Sequence, residues 1–152
     1  MPKVFVLNGT NLNMLGTREP AIYGRQTLDD VRRLCERAAK PLGFAIDFRQ
    51  TNHEGVLIEW IHEADRASVG IVLNAGALAR TSVALHDAVK AVSVPVIEMH
   101  ISNFYTREAY RPPSYLSKAA VGMICGFGTH GYALSLQALK GVLARKPSKR
   151  RK

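Results

Sequence analysis

Residues 4–11, Val4-Phe5-Val6-Leu7-Asn8-Gly9-Thr10-Asn11, decide how this chain is to be read. Four consecutive apolar residues suit a strand buried on both faces, and a polar, glycine-bearing cluster follows them directly. The same order recurs twice. Val69 to Leu73 leads into Asn74-Ala75-Gly76, and Pro95-Val96-Ile97 is closed by Glu98-Met99-His100. In an open parallel α/β sheet, ligands bind outside the carboxyl ends of the strands, so three such endings imply one assembled site.

Outward from that first strand, residues 3–8, the pattern alternates. A long polar loop runs to about residue 26. Thr27, with Asp30 three residues on, is an N-cap for a helix near 28–40 whose Leu28, Val31, Leu34, Cys35 and Ala38 share a face. Pro41 and Gly43 end it. Phe44, Ile46 and Phe48 mark a second strand, and a helix over about 54–67 turns Leu57, Ile58, Trp60, Ile61 and Ala64 inward. Strand 69–74, a helix near 81–92, strand 95–99, a long loop over 102–116, strand 120–125 and a helix over 130–144 complete the order. The last helix is expected to place Leu134, Leu136, Leu139 and Leu143 mostly on one side. Five strands that alternate with helices, apart from a fourth connection that is mainly loop, predict parallel strands, right-handed crossovers and helices on both faces. The expected fold class is α/β: a flavodoxin-like three-layer fold with a five-stranded parallel sheet in the order 2-1-3-4-5. It forms a single domain over 1–144, followed by a basic tail over 145–152.

Bulk properties narrow the function. At 152 residues, 47% hydrophobic and 22% charged, the chain suits one soluble domain. No apolar run approaches the roughly 20 residues of a membrane helix. Met1-Pro2-Lys3 leads straight into a strand, so no signal peptide is read and a cytoplasmic protein is expected. The net charge of +9 hints at nucleic acid until it is located. Arg145, Lys146, Lys149, Arg150, Arg151 and Lys152 supply six of those charges, which leaves +3 on the body. A nucleic-acid partner would rest on the tail alone and is not expected. Cys35 and Cys125 lack metal-like spacing and read as small buried thiols.

Glu98 and His100 fall on one side of the fourth strand if the strand extends that far. A carboxylate beside an imidazole sets the ring's tautomer and makes a general acid or base, although a structural ion pair has the same spelling. Ile101-Ser102-Asn103 offers backbone N–H groups and a hydroxyl, a cradle for a carboxylate. Gly16-Thr17-Arg18-Glu19-Pro20-Ala21-Ile22-Tyr23-Gly24 is a glycine-bounded loop with an arginine and a tyrosine five residues apart, and a nearby cation favours tyrosinate. Gly126-Phe127-Gly128-Thr129-His130-Gly131 has the spelling of a dinucleotide fingerprint but lacks the following strand and acidic residue. Its glycines are read as serving a tight turn and close packing. Asn8-Gly9-Thr10 has the spelling of a glycosylation sequon in a position expected to be buried, and His53, His62 and His130 form no metal pattern.

These blocks together resemble the type II 3-dehydroquinate dehydratases from residue 4 to about 143. The resemblance is carried by NGTNLNMLGTREPAIYG (8–24), TNHEGVLIEWIHEA (51–64), LNAGALARTSVALHDA (73–88), IEMHISN (97–103), REAYRPPSYLS (107–117) and GFGTHGYALSL (126–136). It implies dehydration of 3-dehydroquinate to 3-dehydroshikimate by a carbon–oxygen lyase, with no cofactor and no metal. Tyr23 would take the proton alpha to the ketone, with Arg18 depressing its pKa. Asn11 would hold a water against the enolate, and His100, oriented by Glu98, would protonate the departing hydroxyl. Ile101 and Ser102 would bind the carboxylate, Asn74 and Arg111 would fix polar groups, and Arg107 would add positive charge near the lid. Asp87 resembles the acidic residue that reaches a neighbouring subunit's site. The family assembles as trimers, commonly four to a dodecamer, and serves the shikimate pathway of aromatic amino acid biosynthesis or quinate breakdown.

The chain departs from the family pattern at several positions. Arg80 stands where a histidine usually hydrogen-bonds a ring hydroxyl, and arginine donates without accepting. Pro112-Pro113 replaces a pair that is usually basic or histidine, Thr10 a proline, and His86 an arginine. The proton-transfer set is complete, so an active dehydratase with shifted substrate binding is expected. The alternative is a weakened or retuned paralogue that binds a related cyclic polyol acid.

Overall fold

The computed structural model describes residues 1–17 and 19–145, and for Tyr23 the backbone but not the side chain. Five parallel strands form the centre: β1 (Lys3–Asn8), β2 (Ala45–Gln50), β3 (Gly70–Asn74), β4 (Val96–His100) and β5 (Gly122–Cys125), in the order 2-1-3-4-5. The helices are α1 (Pro20–Tyr23), α2 (Leu28–Ala39), α3 (Glu54–Ala67), α4 (Leu78–Thr81), α5 (Val83–Ala91) and α6 (His130–Ala144). This is the flavodoxin-like arrangement expected.

Strand alternation sorts the core into two layers. Val4, Val6, Val72, Ile97 and Met99 pack against Val31 and Cys35 of α2 and Tyr132, Leu136 and Leu139 of α6. Phe5, Leu7, Ile71, Leu73 and Val96 face Leu57 and Ile61 of α3 and Leu85 and Val89 of α5. Helix α2 starts where the sequence places it. Thr27 accepts from the Asp30 amide while the Asp30 carboxylate accepts from the Thr27 amide, a reciprocal cap.

Three expectations are corrected. The helix expected near 81–92 is α5, which starts two residues later because Ser82 has left helical geometry and caps it by accepting from the Leu85 amide at 2.8 Å, and the separate short helix α4 precedes it. The buried face of α6 is rotated from the leucine stripe: Tyr132 and Ser135 are buried, Leu134 is partly buried and Leu143 is exposed. Ser135 is tolerated inside because its hydroxyl donates to the Gly131 carbonyl at 2.7 Å. Cys125 is half-buried, whereas Cys35 is fully enclosed and burial pushes its thiol up to about 12. Residues 146–152 of the basic tail lie outside the described residues.

The carboxyl edge of the sheet is held by a short polar bridge. Asn8 and Asn74 are register partners on β1 and β3, facing α6. The Tyr132 hydroxyl donates to Asn8 Oδ1 at 2.7 Å and accepts from Asn74 Nδ2 at 2.8 Å. Burial raises the Tyr132 pKa, so the phenol stays neutral and donates. Asn8 is fully buried, which removes the sequon as a modification site. Just beyond, the Gly9 amide donates to the Asn74 carbonyl at 2.7 Å, and a Cβ on Gly9 would lie 2.2 Å from the Ala75 carbonyl oxygen. The two strand exits can approach this closely only with glycine there. Tyr132→Phe strands a buried donor and a buried acceptor, and the expected loss is about 2 kcal/mol of unfolding free energy in urea denaturation.

Candidate active site

At the carboxyl ends of β1, β3 and β4 a pocket is lined by Asn74, Arg80, His100, Ile101, Ser102, Arg107 and Arg111, together with Thr10, Leu12 and Phe104. Seven residues singled out from the sequence thus converge from three strand ends and the following loops. Strand β4 extends to His100, which puts Glu98 and His100 on the same face as Val96.

Glu98 and His100 are both buried, at 0% and 6% exposure. His100 Nε2 and Glu98 Oε2 are 2.6 Å apart, so the carboxylate holds that nitrogen and leaves Nδ1 as the other face of the ring. Ser114 Oγ donates to Glu98 Oε2 at 2.5 Å, and Ser117 Oγ donates to Oε1 at 2.6 Å. Burial alone would raise the Glu98 pKa. The hydrogen bonds from His100, Ser114 and Ser117 together outweigh it, and the net shift is downward. Glu98 is therefore an ionised partner for His100 at neutral pH.

Three arginines give the pocket its sign. The Arg107 side chain is 10% exposed, and its Nη1 donates to Ser102 Oγ at 3.4 Å. Its Nη2 lies 3.9 Å from Glu19 Oε2, beside α1. Arg111 Nε donates to Glu108 Oε2 at 2.6 Å. A hydrogen bond from its own backbone and then the Arg111 guanidinium hold the Glu108 carboxyl at about 2. Arg80 is 8% exposed, donates to the Pro112 and Phe104 carbonyls, and lies over the Phe104 ring. Burial first, then the charges of Arg111 and Arg107, lower its pKa from the ordinary value.

Several sequence expectations are modified by this geometry. Asn74 is in the pocket wall, but its amide is engaged on both ends, by Tyr132 and by the Gly76 amide at 3.3 Å, so it shapes the floor. Arg80 lines the pocket, yet two of its nitrogens are turned to protein carbonyls because the loop over residues 104–112 lies within their reach. Asn11 is exposed in left-handed conformation between the lining residues Thr10 and Leu12, with its amide donating to Asn52 Oδ1 at 2.9 Å. The Asp87 side chain is 72% exposed on α5 beside His86 and does not line this chain's own pocket. Arg18 and the Tyr23 side chain lie outside the described residues. The helix that carries Tyr23 borders an adjoining cavity through Ala21 and Ile22, and that cavity shares Ile101, Ser102 and Arg107 with the pocket.

Other residues were not singled out from the sequence. Ser114 and Ser117 are six and three residues short of the fifth strand's expected start and carry no periodic signal, although a serine pair after two prolines is a turn-type spelling. Phe104, whose ring centroid is 4.4 Å from that of His100, reads only as a loop aromatic. Thr10, singled out only as standing in place of a proline, has its Oγ1 buried in the pocket with no hydrogen-bond partner among the described residues. In the glycine-rich stretch, Gly126 and Gly128 have φ of 94° and 62°, consistent with a tight turn before α6.

The family model described as dehydroquinase class II matches residues 2–140. The chain is 58% identical over 141 residues to a 3-dehydroquinate dehydratase of Rhizobium etli, covering 93% of this chain and 97% of that one. It is 59% identical over 144 residues to 3-dehydroquinate dehydratase 2 of Ralstonia nicotianae, covering 91% and 94%. The crystal structure of a type II dehydroquinase from Propionibacterium acnes superposes with a TM-score of 0.89 at 38% identity, over 93% of this chain and 97% of that one. Fold and similarity along almost the whole length agree, and the chain belongs to the class II dehydroquinase family.

Proposed function

We propose that this chain is a hydro-lyase that removes water from 3-dehydroquinate to give 3-dehydroshikimate. The observation that carries the reading is the buried Glu98–His100 pair in the wall of a pocket with three arginines. Loss of water beta to a ketone needs a base for the alpha proton, stabilisation of the enolate and an acid for the leaving hydroxyl. His100 is the acid: Glu98 holds its ring through Nε2, and the proton passes to the departing hydroxyl, which leaves as water. As it leaves, the enolate electron pair re-forms the carbonyl and closes the conjugated carbon–carbon double bond. Arg107 and Arg111 attract the substrate carboxylate, for which Ile101 and Ser102 form the cradle.

Tyr23 is the base in this proposal, with Arg18 favouring its ionised form and Asn11 holding a water against the enolate. Family membership and the position of α1 beside the pocket support that assignment. Trimers, four to a dodecamer, complete the reading, with Asp87, exposed on α5, directed to a neighbouring subunit's site. The reaction serves either aromatic biosynthesis through shikimate or quinate breakdown, in the cytoplasm. No helix among the described residues is long and apolar enough to cross a membrane.

Mixing purified protein with 3-dehydroquinate is expected to produce enone absorbance, and its absence at high enzyme concentration would overturn the activity. Tyr23→Phe is expected to lower turnover by about 10²–10⁴-fold while the circular dichroism spectrum and melting temperature stay near wild type. Glu98→Gln is expected to lower kcat by roughly 10²-fold, since an amide holds the ring but does not stabilise its charge. Because the folded pKa of Glu98 is lowered, the stability from its ionised form is fully present above its ordinary value of 4.5 and lost as pH falls through the lowered one. The gap in unfolding free energy between wild type and Glu98→Gln should shrink with acidification below that value.

A further inference from the structure

A buried arginine surrounded by two others is costly unless its charge is satisfied, so the partners of Arg80 identify its role. Its Nη1 donates to the Pro112 carbonyl at 2.6 Å and its Nη2 to the Phe104 carbonyl at 2.7 Å. The guanidinium carbon stands 3.4 Å from the centroid of the Phe104 ring, and that ring packs against His100. One planar group thus joins α4 to both ends of the segment 104–112, which carries Arg107 and Arg111 into the pocket.

The acceptor at the far end is prepared by the two prolines. The Pro112 ring sets its own φ, and Pro113 restricts the ψ of the residue before it to extended values. Both backbone dihedrals that orient the Pro112 carbonyl are therefore narrowed before any hydrogen bond forms. Arg80 and Pro112-Pro113, which look like independent departures in the sequence, are two halves of one contact. A second tie lies next to it: the Tyr115 amide donates to the Ala79 carbonyl at 2.8 Å.

We propose that Arg80 is a positioning residue that clamps the loop over residues 104–112 through two carbonyls presented by Phe104 and Pro112, so that Arg107 and Arg111 are held ready for the substrate. Closing the loop before binding removes an ordering cost that substrate contacts would otherwise offset. Lysine keeps the charge but has no planar fork to span two carbonyls, and histidine is too short to reach both. The kinetic part of this inference rests on the dehydratase reading; the structural part does not.

The test combines backbone hydrogen exchange with steady-state kinetics on Arg80→Lys, Arg80→His, Pro113→Ala and the double variant Arg80→Lys/Pro113→Ala. The clamp predicts that amides 105–111 exchange roughly tenfold faster in both Arg80 variants, with α3 and β1 unchanged. KM for 3-dehydroquinate should rise about tenfold and kcat change much less, because Glu98 still holds His100. Pro113→Ala should act in the same direction but more weakly, and its effect should be largely absent once Arg80 is lysine. Three results would overturn the clamp: unchanged exchange with a raised KM, which makes Arg80 a direct substrate contact; restoration of wild-type KM by lysine, which makes it a charge alone; or multiplicative effects of the two substitutions. If Arg80→Lys fails to fold, Pro113→Ala must by itself raise both KM and loop exchange. If wild type shows no turnover, the activity reading fails and the exchange arm still decides the clamp.

Discussion

A carboxylate enclosed between a sheet and its covering loops has to be satisfied on both oxygens, and at Glu98 that requirement organises the site. One oxygen takes His100 Nε2 and Ser114, the other takes Ser117. Meeting it sets the imidazole orientation and pins the chain at 114–117 beneath the strand end. An unpaired ionised group at this depth would disfavour its own charge, so the donors are what keep it an anion. The ion pair is an orienting device whose geometry follows from strand parity: two residues apart on β4 means the same face.

The cations obey a second balance. Arg80, Arg107 and Arg111 share one pocket, and each has an oxygen or a ring to offset its charge: backbone carbonyls and Phe104 for Arg80, Ser102 and Glu108 for Arg107, Glu108 for Arg111. The arrangement leaves a net positive wall suited to a carboxylate-bearing substrate. A loop built this way holds its shape through contacts with α4 and not through regular secondary structure.

The element order was legible because the chain alternates cleanly between short apolar runs and helical periodicity. The reciprocal cap at Thr27–Asp30 follows from local chemistry that needs no partner, and α3 and α6 span the ranges that their periodicity predicts. Misreadings occur where a distant contact overrides local pattern. The leucines of α6 suggest a stripe that includes Leu143, but the sheet edge takes Tyr132, whose phenol joins Asn8 to Asn74. The break at Ser82 is another case, since its hydroxyl serves better as a cap than as part of a continuous helix.

By itself the sequence determined the order of strands and helices along the chain, the family and the shared face of Glu98 and His100, since alternation, motif blocks and an i, i+2 spacing are properties of neighbouring residues. Only the tertiary structure decided what Arg80, Asn74, Ser114 and Ser117 do. Each acts on a group far away in the chain: Arg80 on a carbonyl 32 residues on, Asn74 on a phenol 58 residues on, and the serines on a carboxylate 16 and 19 residues back. The physical reason is that an arginine's charge and an amide's two ends are satisfied by whatever the packed chain brings within about 3 Å, and no local spacing records that.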